Sequence, residues 1–345
     1  MGWKRGILET VVWGASVFAP KSRCPDSPRR IFVLRNNDIG DLLIVTPLFA
    51  ALKQRYPTAQ IVAGIGEWNR PILERNPSVD VILPMPAPWH NQQVKPQGLG
   101  ASLDYLWNHP SVEELRQMQC EIGLDVLGSP FGSMLMMKAG IPYRVGVRGY
   151  AGGHTAASVA VPYDPCRHVG AQALEMARLV GCEALPENRP QLFLPRPVGT
   201  SGRVVLAPGG GYEAKRWPLA NYVGLANCLR DVPLTIVGGE QDAALGKAIA
   251  EQHPEAQNLA GALSLTETFH AIASAAAVVC NSSMAMHVAA AFRKPCITVL
   301  GEIYPSASAH AAQWGYPETI ILGKEQGRAC IATVEEVAHA LREQL

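Results

Sequence analysis

Residues 31–43 read Ile-Phe-Val-Leu-Arg-Asn-Asn-Asp-Ile-Gly-Asp-Leu-Leu. The short apolar run Ile31–Leu34, entered from the polar and basic stretch Ser27–Arg30, predicts a buried strand. Arg35–Gly40 is the loop that leaves it. Asp41 then opens a helical pattern through Leu42, Leu43, Pro47, Leu48, Ala51 and Leu52. Strand, polar loop and helix in that order are the opening of a βαβ unit.

The same cycle continues on both sides of a break. Strands are expected at Gln60–Gly64, Val79–Leu83, Ile122–Val126 and Tyr143–Val147, and helices near Pro71–Arg75, Ser111–Gln119 and Phe131–Gly140. Pro84–Gly100 reads as a loop rich in Pro, Gln and Gly. Arg148–Pro165 interrupts the alternation, His168–Val180 reads as a linking helix, and Pro186, Pro190, Pro195 and Pro197 mark a connector. A second cycle starts at strand Arg203–Leu206 and the loop Ala207-Pro208-Gly209-Gly210-Gly211. It continues through helix Ala220–Leu229, strand Pro233–Val237, loop Gly238-Gly239-Glu240, and helices over Ala243–Ala250 and Leu265–Ala273. Strand Ala277–Cys280, the turn Asn281-Ser282-Ser283, a helix to Phe292 and strand Cys296–Leu300 close it. A last helix, Val334–Glu343, has Thr333 as its N-cap. Strands alternating with helices specify an α/β chain with doubly wound parallel sheets, whose right-handed crossovers gather the loops after the strands along one rim. The expected division is an N-terminal extension (1–30), a first domain (31–185), a linker (186–200), a second domain (201–330) and a C-terminal helix (331–345). The default ligand site is the cleft between the domains.

Composition narrows the partners. The chain has 345 residues, 48% apolar and 17% charged, which at about 150 residues per domain suits two globular domains. Lys plus Arg number 30 against 29 acids, a net charge of +1. Nothing global attracts nucleic acid, and none is expected as a partner; any anion site is local. Eight dispersed cysteines with no C-x-x-C pair suggest neither zinc nor a disulfide scaffold, but reduced cytosolic thiols, with Cys280 and Cys296 as core fillers. No apolar run reaches the about 18 residues of a membrane span. The N-terminus carries Trp3, Ile7, Leu8, Val11, Val12, Trp13 and Phe18 between Lys4, Arg5 and Lys21, Arg23, with Glu9 interrupting the run. Three readings stay open for it: a helix packed on the first domain, an interfacial helix on an anionic membrane, or a cleaved signal.

Three loops of the second cycle lie between a strand and a helix, where free N–H groups attract phosphate. Gly209, Gly210 and Gly211 let the backbone approach an anion, and Lys215 and Arg216 follow, as diphosphate contacts or as solvated charges. Ser282 and Ser283 either cap the next helix or hold a phosphate or sugar hydroxyl; His287 is either a packed core histidine or a ligand contact. Glu240 stands where a carboxylate meets a ribose diol, or is a surface residue. In the first half Asp41 either complements a helix dipole or acts as a general base. Arg35 and Asn37, on its loop, are the candidate acceptor contacts. No metal motif stands out, and no metal or cofactor is expected.

Taken together these residues resemble glycosyltransferase family 9, the heptosyltransferase family of lipopolysaccharide synthesis. The resemblance rests on Arg35–Leu43 with Thr46-Pro47 and Tyr56-Pro57, then Lys215-Arg216-Trp217-Pro218, Gly239-Glu240, Asn281-Ser282-Ser283, Met286–Ala291 and Lys294-Pro295. It spans about residues 30 to 325. It implies a GT-B fold: two Rossmann-like domains with parallel sheets facing a central cleft, acceptor on the first and nucleotide-sugar on the second. It implies inverting, metal-independent transfer from a nucleotide-diphosphate sugar such as ADP-heptose to a lipopolysaccharide-core or other glycolipid acceptor. The expected place is the cytoplasm, peripheral at the inner membrane face, with membrane contact through residues 3–18. By resemblance Asp41 is the base, Lys215 holds the diphosphate and Glu240 meets the ribose. Ser283, Met284 and His287 lie at the donor phosphates and sugar. One departure bears on the donor: the family usually has Asp-[Ser/Thr]-Gly where this chain has Ser282-Ser283-Met284. The alternatives are a nucleotide-sugar epimerase of the same architecture and a non-catalytic nucleotide-sugar-binding protein.

Overall fold

The computed structural model describes residues 2–345, with side chains from Gly6 onward. The chain divides between Gln191 and Leu192 into two compact units. In the first, strands β1 (Arg30–Leu34), β2 (Gln60–Ile65), β3 (Val81–Pro84), β4 (Ile122–Asp125), β5 (Tyr143–Arg148) and β6 (Val159–Pro162) form one sheet in the order β3-β2-β1-β4-β5-β6. Every pairing is parallel, with Ile31 opposite both Ile61 and Ile122. The central strand is buried along its apolar length, as a strand covered by helices on both faces must be.

The second unit repeats the architecture. Strands β7 (Val204–Ala207), β8 (Leu234–Ile236), β9 (Gln257–Asn258), β10 (Ala277–Asn281), β11 (Cys296–Val299) and β12 (Thr319–Leu322) run β12-β11-β10-β7-β8-β9, again all parallel. Counted from each unit's first strand, both sheets have the order 3-2-1-4-5-6. Crossovers leave the first strand on one side and the fourth on the other, so a crevice opens at the carboxyl ends where these two strands meet. In the first unit the loops after β1 and β4 border that crevice; in the second, the loops after β7 and β10 do.

The structure corrects the expected element map in five places. A helix, Leu99–Asn108, begins where the sequence predicts the end of a loop. Strand β6 lies inside the Gly- and Pro-rich break, because a parallel edge strand needs only four residues. The second cycle does not close at Cys296–Leu300: helix Ala307–Trp314 and β12 extend it by one more unit. Short β9 forms the other edge. The helical pattern opened at Asp41 breaks into Ile39–Leu43 and Pro47–Arg55, since Pro47 has no N–H to continue the first. The final helix, Val334–Arg342, starts with a reciprocal Thr333–Glu336 cap and buries Val337 and Leu341 in the core around Trp217, Tyr222 and Leu225.

The N-terminal helix spans Gly2–Phe18 and packs against the turn 154–156 and helix Pro130–Lys138 of the first unit. The expectations for Trp3, Lys4 and Arg5 concern side chains outside the described residues. The chain after it is tied down by Arg144, a fully buried side chain whose guanidinium donates to the carbonyls of Pro20 at 2.8 Å, Ile141 at 2.6 Å and Ala156 at 2.9 Å. All eight cysteines are free; Cys280 and Cys296 are buried neighbours, with Sγ atoms 3.7 Å apart.

Candidate functional site

In the first unit, the loop after β1 is held from below by its own polar side chains. Asn36 donates to the carbonyl of Trp89 at 3.2 Å, and Asn37 donates to that of His90 at 2.7 Å. The carbonyl of Asn37 accepts from Trp68 Nε1 and Asn69 Nδ2. Asn37 is thus buried as a structural brace. Arg35 is buried, and its guanidinium reaches Asp41 twice: Nη2 to Oδ1 at 3.2 Å and Nε to the backbone oxygen at 3.1 Å. Asp41 itself, at the third residue of helix Ile39–Leu43, keeps about a third of its side chain exposed (32%). The result is a carboxylate with one oxygen oriented by a cation and its face open to solvent.

Across the crevice, at the end of β4, Asp125 is buried and accepts the N–H groups of Gly128 at 3.1 Å and Ser129 at 2.8 Å. Burial pushes its carboxyl up from the ordinary value, opposed by those N–H groups and by the charge of Arg35. Burial, and then the charge of the same guanidinium, hold His90 below its ordinary value. Arg35 thus acts electrostatically on both sides of this rim.

In the second unit, the loop Gly209–Gly211 follows β7 and is fastened by three side chains from elsewhere. Asn281, at the end of β10, donates to the carbonyls of Pro208 (2.7 Å) and Gly209 (3.0 Å) and accepts the N–H of Trp217 at 2.8 Å. Arg216 donates to the carbonyl of Gly210 at 2.7 Å. Asp242 accepts the N–H of Gly239 and lies under the loop, where a Cβ at Gly209 would overlap its carboxylate. Close approach, not a special φ, is what requires glycine at 209. A Cβ at Gly301 would likewise come within 2.6 Å of the backbone oxygens of Ala214 and Arg216. A cavity of about 490 Å³ opens beside this loop, lined in part by Pro208, Arg216 and Trp217.

Lys215 is half-buried, with Nζ 4.9 Å above the Tyr212 ring. No carboxylate stands within ion-pair distance of it among the described residues. Its charge reaches His310, whose Nε2 lies 2.9 Å from Ser282 Oγ. The next residue, Ser283, is the N-cap of helix Met284–Ala291, yet its side chain makes no capping bond. Of the two readings left open for these hydroxyls, capping of the helix is not seen: Ser282 is turned to His310, and Ser283 makes no side-chain cap bond. His287 is buried, with Nδ1 2.7 Å from the Tyr316 hydroxyl. Met284, at the first helical position, is half-buried, and Glu240, at the start of a 3-10 turn, is exposed. An ammonium with no acid partner among the described residues, a glycine loop and a helix N-terminus without a side-chain cap follow strands β7 and β10, and groups of this kind attract anions. Among the described residues no group of three or more His, Cys, Asp or Glu is placed to hold a metal ion.

Residues 183–339 match the family model for glycosyltransferase family 9 (heptosyltransferase). Lipopolysaccharide heptosyltransferase 2 of Escherichia coli is 29% identical over 309 residues, covering 80% of this chain and 84% of that protein. The family-model similarity lies chiefly in the second unit. A family 9 glycosyltransferase of Veillonella parvula superposes with a TM-score of 0.74 at 17% identity, over 94% of this chain and 99% of the other. An E. coli heptosyltransferase solved with ADP-2-deoxy-2-fluoro heptose gives 0.70 at 16% identity, over 92% and 100%. The fold is the GT-B fold of these enzymes.

The residues singled out from sequence divide between the units. Arg35, Asn37 and Asp41 share the rim after β1. Gly209, Gly210, Gly211 and Lys215 share the rim after β7 with Ser282, Ser283, Met284 and His287, which follow β10. Glu240 leaves the neighbouring strand β8. Four further residues were not singled out: His90, Asp125, Asp242 and His310. Asp125 had a signal, an acid at a strand end before Gly-Ser-Pro. His90 and His310 had none, because only tertiary packing brings them to a rim.

His310 has a measurable consequence. It is buried on helix Ala307–Trp314, T-shaped to Tyr304 and stacked on Trp314. Burial, and then the charge of Lys215, lower it from the ordinary value of 6.5 to about 4. The unfolded chain therefore binds the proton first. Stabilisation present above pH 6.5 is lost as pH falls towards 4. At about 1.4 kcal/mol per pH unit, the expected loss between pH 8 and pH 5 is about 2 kcal/mol. Urea melts of the protein and of His310→Gln at both pH values check this: the substitution should remove most of the difference, and an unchanged difference refutes it.

Proposed function

We propose that the protein transfers a sugar from a nucleotide-diphosphate donor of the ADP-heptose kind to a lipopolysaccharide-core or other glycolipid acceptor. We infer an inverting, metal-independent reaction at the cytoplasmic membrane face. The observation that carries this reading is Lys215, an ammonium with no acid partner among the described residues, a few residues after the glycine loop and in the same unit as a helix without a side-chain cap. Those are the groups a departing diphosphate needs as negative charge builds on it. At the other end of the reaction a sugar hydroxyl is a poor nucleophile until its proton is taken. Asp41, oriented by Arg35, is the base assigned to that proton. A single displacement inverts the sugar carbon, in analogy with glycosidases whose base works on the face opposite the leaving group. Arg35 orients the base, and Asn37 fixes the loop that presents the acceptor. Glu240 meets the ribose, and Ser283, Met284 and His287 meet the phosphates and sugar.

Support comes from relatives named as heptosyltransferases and from the ADP-heptose analogue held by one of similar fold. Nothing in the second unit favours the epimerase reading. No helix among the described residues is long and apolar enough to cross a membrane, and a peripheral location is the reading that suits a glycolipid acceptor.

A thermal-shift series with ADP, ADP-heptose and UDP-sugars tests the donor. ADP-heptose should raise the melting temperature with the logarithm of its concentration once above Kd. Lys215→Ala should abolish that rise and cut transfer about 10²–10³-fold, the scale of one lost charge-stabilising donor. A wild-type rate in Lys215→Ala refutes the assignment.

A further inference from the structure

The N-terminal helix Gly2–Phe18 has two unlike faces. Val12 and Ser16 are buried, with Leu8 and Glu9 beside them on the packed side. The Glu9 carboxylate accepts the Gly153 N–H and, at 2.7 Å, the Thr155 hydroxyl. The acid that interrupts the apolar run in sequence is thus spent inward. The outward face carries Ile7, Val11, Trp13, Val17 and Phe18, 53% to 91% exposed.

A second helix repeats this pattern. Leu99–Asn108 buries Tyr105 and Leu106 against Trp89, Phe131 and Met134. At i, i+4 and i+8 it turns Leu99, Leu103 and Trp107 outward, 57%, 37% and 63% exposed. Both helices rest on the same helix, Pro130–Lys138. One meets its Phe131 and Met134 side; the other lies near Pro130 and Ser133, through Gly152 and Gly153. Large outward apolar side chains on two helices that pack on the same third helix exceed what a solvated surface scatters singly.

The charge around them selects the occupant. From Lys4 to Arg23 the chain holds four cations against Glu9 alone, and Glu9 faces inward. Lys21 and Arg23 are exposed directly after the first helix, and Lys95 before the second. Lys138 Nζ sits 4.5 Å above the Trp107 ring. The one acid of the second helix, Asp104, accepts from Asn108 Nδ2 at 2.6 Å. Outward Trp, Phe and Leu ringed by Lys and Arg is the pattern of a helix lying at headgroup depth in an anionic leaflet.

We propose that the outer faces of Gly2–Phe18 and Leu99–Asn108 together form a peripheral docking surface for an anionic phospholipid bilayer. The proposal deepens the glycolipid-acceptor reading by giving the first unit a bilayer contact, and it is tested without any transfer reaction. The test is sedimentation of the full chain with phosphatidylethanolamine–phosphatidylglycerol vesicles and with phosphatidylcholine vesicles. The expected result is partition onto the anionic vesicles that weakens with added salt, and less onto the neutral ones. Val11→Glu with Phe18→Glu, and separately Leu103→Glu with Trp107→Glu, should each lower anionic partition at least tenfold. Circular dichroism melts and ADP binding by calorimetry should match the unaltered chain. Loss of ADP binding in the unaltered chain would strike the donor reading and leave the surface standing. Equal partition onto both vesicle types overturns the proposal, as does unchanged partition of either folded variant. So does a concentration-dependent oligomer that the same substitutions dissociate, since the face would then be an interface between copies.

Discussion

Asp41→Asn should lower sugar transfer about 10²–10⁴-fold, the range lost when a positioned general base is removed. The amide keeps the size of the carboxylate and can still accept from Arg35 Nη2, 3.2 Å from Oδ1. With the Asp41 side chain 32% exposed, the change in folding stability should stay within about 1 kcal/mol. Donor affinity should not move, because Lys215 and the glycine loop belong to the other unit. The measurement is kcat and KM for donor and acceptor, beside a urea melt. A fall in kcat with unchanged donor binding is the signature of a lost proton acceptor. Transfer at the unaltered rate would remove Asp41 from the mechanism, and donor binding without transfer in the unaltered chain would favour a non-catalytic binder.

The largest structural effect should come from Asn281→Ala. Asn281 is fully buried at the carboxyl end of β10. Its side chain satisfies three backbone groups: the Trp217 N–H and the carbonyls of Pro208 and Gly209. Truncation leaves a buried N–H without its partner, at about 1–3 kcal/mol for the group, with further loss at the two carbonyls. A total of about 3 kcal/mol is expected in a urea melt. ADP binding should weaken as well, because the same bonds tie the glycine loop to the β10 turn. A melt within error of the unaltered protein would show that these bonds are not what holds the rim.

Much of this was legible in the residues. The short apolar run Ile31–Leu34 and its counterparts at Arg203–Leu206 and Ala277–Cys280 announce buried parallel strands, because strands covered on both faces need no polar alternation. Gly209–Gly211, Lys215 and Asn281–Ser283 stand out for the same local reason: loops between strand and helix leave N–H groups free. Less was legible where an element's stability comes from its neighbours. Strand β6 hides in a Gly-rich stretch, and the helix Leu99–Asn108 starts where Pro and Gln end, so neither shows a clean boundary. Glu9 reads as a break in an apolar helix, while packing makes it the clamp that turns the apolar face outward.

Local periodicity and turn chemistry, carried by residues adjacent in the chain, determined the class of fold and the two-cycle organisation. The tertiary structure alone decided which strand ends meet. The 3-2-1-4-5-6 order sets β1 beside β4 and β7 beside β10, and so places Asp125 across from Arg35 and Asn281 under Gly209. Ser282 joined His310, and Lys215 came within electrostatic reach of that histidine, for the same reason. Such pairings depend on long-range packing of strands and helices, which no stretch of neighbouring residues encodes.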